Sequence, residues 1–194
     1  MNSRIEKGAA TRQHIVGVAT RLFTKSGFEA TSIEAILSAC AISRGALYHH
    51  FASKDELFLA VFEAIEREIA EATIAAARDI IDPAESLRVG CRAFLELARV
   101  DKVRQIALID APAVLGWQKW REVEERHGFG LLKASLKSAA KARGLRREPM
   151  DVLAQMLLAA LIEAALLIAR GGDPGATMRS SRAAVDRIID GILA

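Results

Sequence analysis

The sequence has few of the residues that build sheets, tight turns and disulfide frameworks. Aromatic residues make up only 5% of its 194 residues, and it contains four prolines and two cysteines. Alanine, leucine, isoleucine, glutamate, arginine and lysine dominate, and this composition favours helices over strands. No stretch of useful length alternates between apolar and polar residues, so we predict no sheet.

The two cysteines exclude a disulfide-stapled fold. Cys40 and Cys91 stand alone in apolar segments, and neither belongs to a CxxC motif. We therefore expect a reduced, cytoplasmic protein, and the N-terminus lacks the apolar stretch of a signal peptide. The most apolar run, 152–169, is interrupted by Gln155 and Glu163. A charge near the middle of a membrane span is costly, so this run predicts a buried helix and no membrane partner.

The common enzyme motifs are missing as well. We find no nucleophile elbow, phosphate-binding loop, zinc-protease motif or dinucleotide fingerprint. The adjacent His49 and His50 would point about 100° apart on a helix, and His14 and His127 do not complete a metal-binding set. We therefore expect neither an enzyme, nor a cofactor, nor a metal site.

Charge permits nucleic-acid binding without establishing it. The formal net charge is +3. Residues 1–58 contain seven basic and five acidic residues, whereas the remainder contains 20 and 19. Such a mild excess is compatible with a DNA-binding N-terminal part. The basic residues Arg4, Lys7 and Arg12 fit either a disordered tail or an arm that reaches phosphates or the minor groove.

Capping residues divide the chain into about nine helices. Gly27 fits a helix C-cap, Thr31–Glu34 and Ser53–Glu56 read as capping boxes, and Asp82 reads as an N-cap. Pro112 is expected to break a helix. A glycine at 144 is expected to end another, and Gly128 and Gly130 to bend it. The predicted helices span approximately 9–26, 31–40, 43–51, 54–81, 83–99, 101–110, 116–143, 149–170 and 176–193.

The segment from Thr31 to Lys54 predicts function most directly. Two short helices joined by a tight turn at Ala41-Ile42 can place the second helix in the major groove of DNA, which is about 12 Å wide. This second helix has two predicted sides. The expected inward residues are Ala46, Leu47 and Phe51, and the expected outward ones are Ser43, Arg44, Gly45, Tyr48 and His49.

The outward residues suit DNA chemically. Arg44 can pair with guanine O6 and N7, and Gly45 lets the backbone approach closely. Tyr48 and His49 can donate to phosphate oxygens, although both could be ordinary surface residues. Lys54 lies in a first helical turn, where it opposes the helix dipole unless a phosphate binds there.

The stretches LFTKSGFEATSIEAI and AISRGALYHHFASKDELFLAVF closely resemble the DNA-binding domain of the tetracycline-repressor (TetR) family, over about residues 10–62. The resemblance implies a helix-turn-helix domain, 1–53, and a ligand-binding and dimerisation domain, 54–194. Ala41 departs from the family pattern because it replaces a usual glycine, which could strain the turn. The positions implied to contact DNA are Thr31, Ser32, Ser43, Arg44, Gly45, Tyr48, His49 and Lys54.

The second predicted domain offers candidates for an unknown small-molecule effector. Each has an alternative role: the two tryptophans and Cys91 could be core residues, and Glu163, in an apolar helix, could make a buried structural hydrogen bond. His127 is a further candidate for a polar ligand group. The predicted ligand-binding residues are Cys91, Phe94, Ile109, Asp110, Trp117, Trp120 and Glu163.

Helices 149–170 and 176–193 are expected to pair with their symmetry mates as a four-helix bundle in a homodimer. Their predicted apolar faces comprise Leu153, Met156, Leu157, Ala160, Leu161, Ala164 and Leu167, and Val185, Ile188, Ile189 and Ile192.

A two-fold dimer would set two recognition helices about 34 Å apart, on a palindromic operator of double-stranded DNA. The sequence thus predicts a ligand-released repressor. A ligand-independent regulator or activator remains open, as does a helical enzyme with an incidental N-terminal match.

Overall fold

The structure is a computed structural model that describes residues 2–145, 149–170 and 173–194, and this part of the chain contains helices and no strand. The predicted all-α class is confirmed. The α-helices are α1 (Asn2–Ala30), α2 (Ile33–Cys40), α3 (Arg44–His50), α4 (Lys54–Ala77), α5 (Pro83–Leu97), α6 (Ala111–Glu124), α7 (Gly130–Ala142), α8 (Met150–Arg170) and α9 (Pro174–Ile192). Two π-helical segments, Val103–Asp110 and Glu125–Phe129, precede α6 and α7.

The first helix is longer than predicted, and Gly27 kinks it rather than ending it. The φ and ψ angles of Gly27 are 74° and 170°, and helical structure resumes beyond it to Ala30. A positive φ favours glycine because a Cβ atom would clash with the backbone. The kink turns the end of α1 back toward the first π-helical segment.

The caps of the short helices were predicted well, with one error. Ser43 caps α3 by accepting from the Ala46 amide, and Ser53 caps α4 by accepting from the Glu56 amide. The cap of α2, however, is Ser32 rather than Thr31, since the Ser32 hydroxyl accepts from the Ala35 amide. The capping box predicted at Thr31 is therefore wrong by one position.

The middle of the chain departs most from prediction. Pro112 does not break a helix: it lies in the first turn of α6, where its missing amide hydrogen leaves no helical bond unmade. The break falls at Gly116, with φ 74° and ψ 159°. The predicted bend near Gly128 is a π-helical segment. Asp82 caps α5 as expected, and α4 ends at Ala77, before the predicted 81.

The buried apolar residues form two cores. The first joins the helix-turn-helix to α4, the first π-helical segment and α6, and includes Phe23, Leu47 and Phe58. The second joins α5, α7, α8 and α9 around Leu95 and Leu157. The α4 helix thus continues the core of the DNA-binding helices into the rest of the molecule.

The α8 helix is long and apolar enough to cross a membrane by length and composition, with a mean hydropathy of 2.3 over its best window. Core helices of soluble proteins pass the same test. One face of α8, including Leu157, Leu161 and Ala165, is buried in the second core. This packing is that of a core helix, as predicted.

The turn between α2 and α3 forces Ala41 into a left-handed conformation, with φ 53° and ψ 42°. It is the one non-glycine residue with positive φ in the described ranges. The Ile42 amide donates to the Leu37 carbonyl at 3.3 Å, which completes the cap. The sequence-based expectation of strain at this position is consistent with this conformation, because L-residues pay about 1–2 kcal/mol there.

We predict that Ala41→Gly stabilises the protein by about 0.5–1 kcal/mol, because relief of the left-handed strain outweighs the added freedom of the unfolded chain. Urea unfolding followed by circular dichroism measures this free energy. The matched control is Ala134→Gly, an exposed residue inside α7, which should destabilise by about 0.5–1 kcal/mol. Loss of stability in both variants would contradict the strain at Ala41.

Candidate nucleic-acid interface and interior cavity

The α3 helix has the two sides that its sequence predicts. Leu47 and the capping residue Phe51 are each 1% exposed and pack in the first core, whereas Tyr48 is 42% exposed. The side chains of Ser43, Arg44 and His49 are also exposed, and Gly45 is bare beside them. These residues form one polar, solvent-facing surface on a helix of the size that enters a major groove.

Arg44 has a partner that sequence reasoning missed. Its guanidinium group forms an ion pair with Glu34 of α2, and both side chains are largely exposed. A hydrogen bond from its own backbone amide, and then Arg44, hold the pKa of Glu34 below its usual value. The ion pair pre-orients Arg44 across the turn, and Arg44 must exchange or share this partner to bind a base.

Lys54 and Arg12 lie over aromatic rings at the base of this surface. The Lys54 ammonium is 4.0 Å from the centre of the Phe28 ring, and the Arg12 guanidinium carbon is 4.7 Å from the centre of the Phe51 ring. Such cation–π contacts stabilise a positive charge. They give Lys54 a local reason to occupy the first turn of α4 without a bound phosphate.

Thr31 does not fit the DNA contact predicted for it. It is 3% exposed, and its hydroxyl donates to the Gly27 carbonyl oxygen at 2.7 Å, so the residue secures the kink of α1. The neighbouring Ser32 is exposed at the start of α2. Its oxygen accepts from the Ala35 amide at 3.1 Å, which leaves its hydroxyl hydrogen free to donate to a phosphate.

Asp110 links the α1 kink to the following helices. Its Oδ2 accepts from the Phe28 amide at 2.9 Å, and its Oδ1 accepts from Gln105 Nε2 at 3.0 Å. Burial raises the pKa of Asp110, against these two hydrogen bonds. We predicted Asp110 as a ligand-binding residue. The structure places it at the end of the first π-helical segment, where it accepts a hydrogen bond from the kink of α1.

A cavity of about 290 Å³ lies among α4, α5, the second π-helical segment, α7 and α8. Cys91 and Phe94 line it, as predicted. Burial is the main cause that raises the pKa of the Cys91 thiol to about 12, so Cys91 is a neutral wall residue. The remaining walls are largely apolar, and Arg78, Ser86 and Ser135 add polar groups.

The other predicted ligand residues lie away from this cavity. Trp120 is 3% exposed in the first core, while Trp117 is 67% exposed and stacks beside it with the ring centres 5.0 Å apart. Glu163 and Ile109 are exposed, so the predicted buried role of Glu163 is wrong for this chain alone. Apolar helical context did not reveal which face of α8 is buried.

Two acidic residues of the cavity wall were missed. Glu66 on α4 is 4% exposed, and Glu124 at the end of α6 is 7% exposed. Burial raises the pKa of Glu66 well above its usual value and that of Glu124 to about 7. Helical spacing could have predicted the burial of Glu66, because it lies four residues after Phe62 and three before Ile69, within the apolar stripe of α4.

This geometry is that of a helix-turn-helix DNA-binding protein, in which the reading helix is joined to an all-helical domain that contains a cavity. Residues 15–61 match the family model for bacterial regulatory proteins of the tetR family, and residues 84–192 match the tetracyclin repressor-like C-terminal domain. The chain belongs to the TetR family, and it is a DNA-binding transcriptional regulator.

Comparisons with individual proteins agree. A TetR-family regulator from Pectobacterium atrosepticum is 30% identical, with a TM-score of 0.82 over 96% of both chains. The regulator AcrR of Shigella flexneri is 42% identical over 66 residues, which span 34% of this chain and 31% of that protein. FadR of Bacillus subtilis, solved with stearoyl-CoA, shares the fold: its TM-score is 0.75 at 14% identity, over 92% of this chain and 98% of that one.

We predict that Glu124→Gln makes stability less dependent on pH. The folded pKa of Glu124, about 7, exceeds its ordinary value of 4.5, so the folded state binds the proton more tightly. The wild-type protein should therefore lose stability as pH rises from about 4.5 to about 7. The amide avoids this loss and should be more stable by roughly 1–3 kcal/mol near pH 8, with little difference near pH 4.5.

Urea unfolding at the two pH values measures this difference. Glu125→Gln, a neighbouring exposed glutamate, is the matched control and should leave the pH profile unchanged. An unaltered profile in Glu124→Gln would contradict the burial of an ionisable carboxyl group at this position.

Proposed function

We propose that this regulator is a cytoplasmic homodimeric repressor that binds a palindromic operator and releases it when a small molecule enters the cavity. The observation that carries the proposal is the exposed polar face of α3, with Arg44, Tyr48 and His49, on a chain whose α8 and α9 helices leave apolar side chains uncovered. The first feature supports DNA reading, and the second supports pairing of two reading heads.

The apolar side chains on the outer face of α8 support dimerisation. Val152, Met156 and Leu167 are 59%, 63% and 53% exposed, and Ile188 on α9 is 38% exposed. Their spacing places Val152, Met156, Glu163 and Leu167 along one stripe of the helix. A stripe of this kind marks an interaction surface, and a second copy would cover it in a four-helix bundle.

This stripe differs from the apolar faces that the sequence predicted for the dimer. Several residues assigned to those faces belong to the second core of the single chain. They are Leu157, Leu161, Ala164, Val185 and Ile189. The helices are therefore apolar on two sides: the inner side holds the domain together, and the outer side is available to a partner.

Two connections support coupling between the cavity and the reading head. Glu66, Ile69 and Thr73 of α4 line the cavity, and α4 begins four residues after α3 ends. Asp110 holds the α1 kink to the first π-helical segment. A small molecule that fits the cavity better in one position of α4 would favour the separation of the two reading heads that goes with that position. The equilibrium would shift by no more than the difference in its affinity for the two states.

Loss of two different α3 side chains should separate positioning from base reading. We expect Tyr48→Ala to weaken binding to all duplexes similarly, because Tyr48 donates to phosphate. Arg44→Ala should lower discrimination by ~1–3 kcal/mol at one base position of each half-site. In vitro selection from random duplexes would supply the operator, and fluorescence anisotropy would measure affinity for it and for single-base variants.

Arg143→Ala, which removes an exposed arginine at the end of α7, is the charge-matched control and should change neither quantity. Equal loss on selected and random duplexes for Arg44→Ala would argue against base reading. Selection of a non-palindromic site would argue against a two-fold dimer. Operator affinity that no cavity ligand changes would instead favour a ligand-independent regulator.

We predict that Met156→Asp separates the dimer, because it replaces an apolar contact by a second acidic group, besides Glu163, on the outer α8 stripe where two copies would meet. Analytical ultracentrifugation should show a shift from dimer to monomer, and operator affinity should fall with it. Ile81→Asp is the matched control, since Ile81 is 97% exposed and lies between α4 and α5. A Met156→Asp protein that stays dimeric would place the interface elsewhere.

A further inference from the structure

We propose that the cavity binds an organic cation, a protonated amine on an apolar body, whose charged head lies between the carboxyl groups of Glu66 and Glu124. This inference rests on the proposed function, because it names the chemical class of the molecule that would act at the cavity. It depends on two buried acids that face one interior space from different helices.

One of the two carboxyl groups lacks a hydrogen-bond partner that a buried acid normally has, and the other lies beside it on the cavity wall. Glu124 Oε2 is buried and has no hydrogen-bond partner among the described residues. The Glu66 carboxyl group lies beside Gly128, where an added Cβ atom would be 3.9 Å from its Oε2. Both glutamates line the same cavity. Unpaired buried acids destabilise a fold, so a ligand that pairs with them gains free energy that the free protein lacks.

The basic groups nearby compensate this acidic pair only in part, because burial outweighs their effect on the pKa of Glu124. Arg121 is the basic residue that acts on Glu124 electrostatically, yet its guanidinium carbon lies over the Trp117 ring, 5.4 Å from the ring centre. Arg126 is paired with Glu63 at 2.7 Å, and Arg78 is exposed at the rim.

Several of the elements packed around the pair carry titratable or charged groups. Those near the cavity are Arg67 and Arg78 on α4, Cys91 on α5, Arg121 on α6, and Arg126 and His127 on the second π-helical segment. His127 is influenced by Arg67, Arg126 and Glu63 and does not line the cavity. None of these groups replaces a cation between the two acids.

A cation fits this site better than the alternatives. Burial raises the pKa of both acids, so the free pair holds its protons more tightly than exposed carboxyl groups do. A positively charged head can take the place of a proton and bring both carboxylates within reach of its N–H donors. A neutral hydroxyl can satisfy one oxygen but does not stabilise the ionised form of the pair, and an anion would be repelled by that form.

Size and wall chemistry define the rest of the ligand. The volume of about 290 Å³ lies at the lower end of small-molecule pockets, which are about 300–1,000 Å³. Ile69, Phe94, Leu158 and Leu161 supply apolar walls around the acidic end. A short aryl or alkyl body with one amine at its end matches a cavity that is acidic at one end and apolar elsewhere.

The test compares three probes that share one body and differ in the head group: phenylbutylamine, phenylbutanol and phenylbutyrate. Isothermal titration calorimetry on the full-length protein, without DNA, measures their affinities. We expect the amine to bind roughly tenfold to a hundredfold more tightly than the alcohol, and the carboxylate to bind least. Amine affinity should rise with pH through about 7, because ionisation of Glu124 then precedes binding.

The matched variant is the double substitution Glu66→Gln and Glu124→Gln, which keeps the size and hydrogen-bonding shape of the protonated acids. It should abolish both the preference for the amine and the rise with pH, while the alcohol binds as before. The wild-type pH profile needs no substitution, so the test holds even if the double variant folds poorly.

Alcohol or carboxylate binding as tightly as the amine would overturn the inference, as would absence of amine binding or an amine affinity independent of pH. These results would contradict only the cation-binding proposal. The proposed repressor function would still hold if the protein binds its operator and another ligand releases it. Conversely, an amine that binds as expected without releasing the operator supports the cavity chemistry and contradicts the proposed release.

Discussion

The edge-to-face packing of Phe58 against Phe23 and Phe28 joins the reading head to the rest of the molecule. Phe58 is near the start of α4, and its ring centre lies 5.3 Å from that of Phe23 and 5.0 Å from that of Phe28. All three side chains are buried in the first core. Because close-packed side chains transmit displacement, a movement of α4 in the proposed release would carry α1, and with it the helix-turn-helix that packs on α1.

A hydrogen bond also joins the end of α1 to the first π-helical segment. The positive φ of Gly27 turns the backbone so that the Phe28 amide reaches Asp110, and an added Cβ at Gly27 would come within 3.3 Å of Gln105 Nε2. The α1 kink therefore requires glycine both for its angle and for its close approach. Through these two attachments, one apolar and one polar, α1 is joined both to α4 and to the first π-helical segment.

The local parts of this arrangement were predictable, and the long-range parts were not. Ser43 and Ser53 were assigned correctly because a cap depends on a few neighbouring residues. The two sides of α3 followed from helical periodicity, whereas DNA contacts by its residues stay predictions. The hydrogen bond of Asp110 to the Phe28 amide could not be predicted, because its partner lies 82 positions away. Periodicity could not show which apolar side of α8 faces its own chain, so Glu163 was wrongly expected to be buried.

In the proposed release, the two acids at the cavity would give α4 two preferred positions. Glu66 lies about two turns beyond Phe58 on the same helix, so a buried acid of the cavity and a residue that packs against α1 belong to one continuous element. Repulsion within the acidic pair favours a position of α4 that separates or hydrates the carboxyl groups. A cation between them favours the opposite position. In the proposed release, the unfavourable burial of Glu66 would supply the differential affinity that control by a ligand requires.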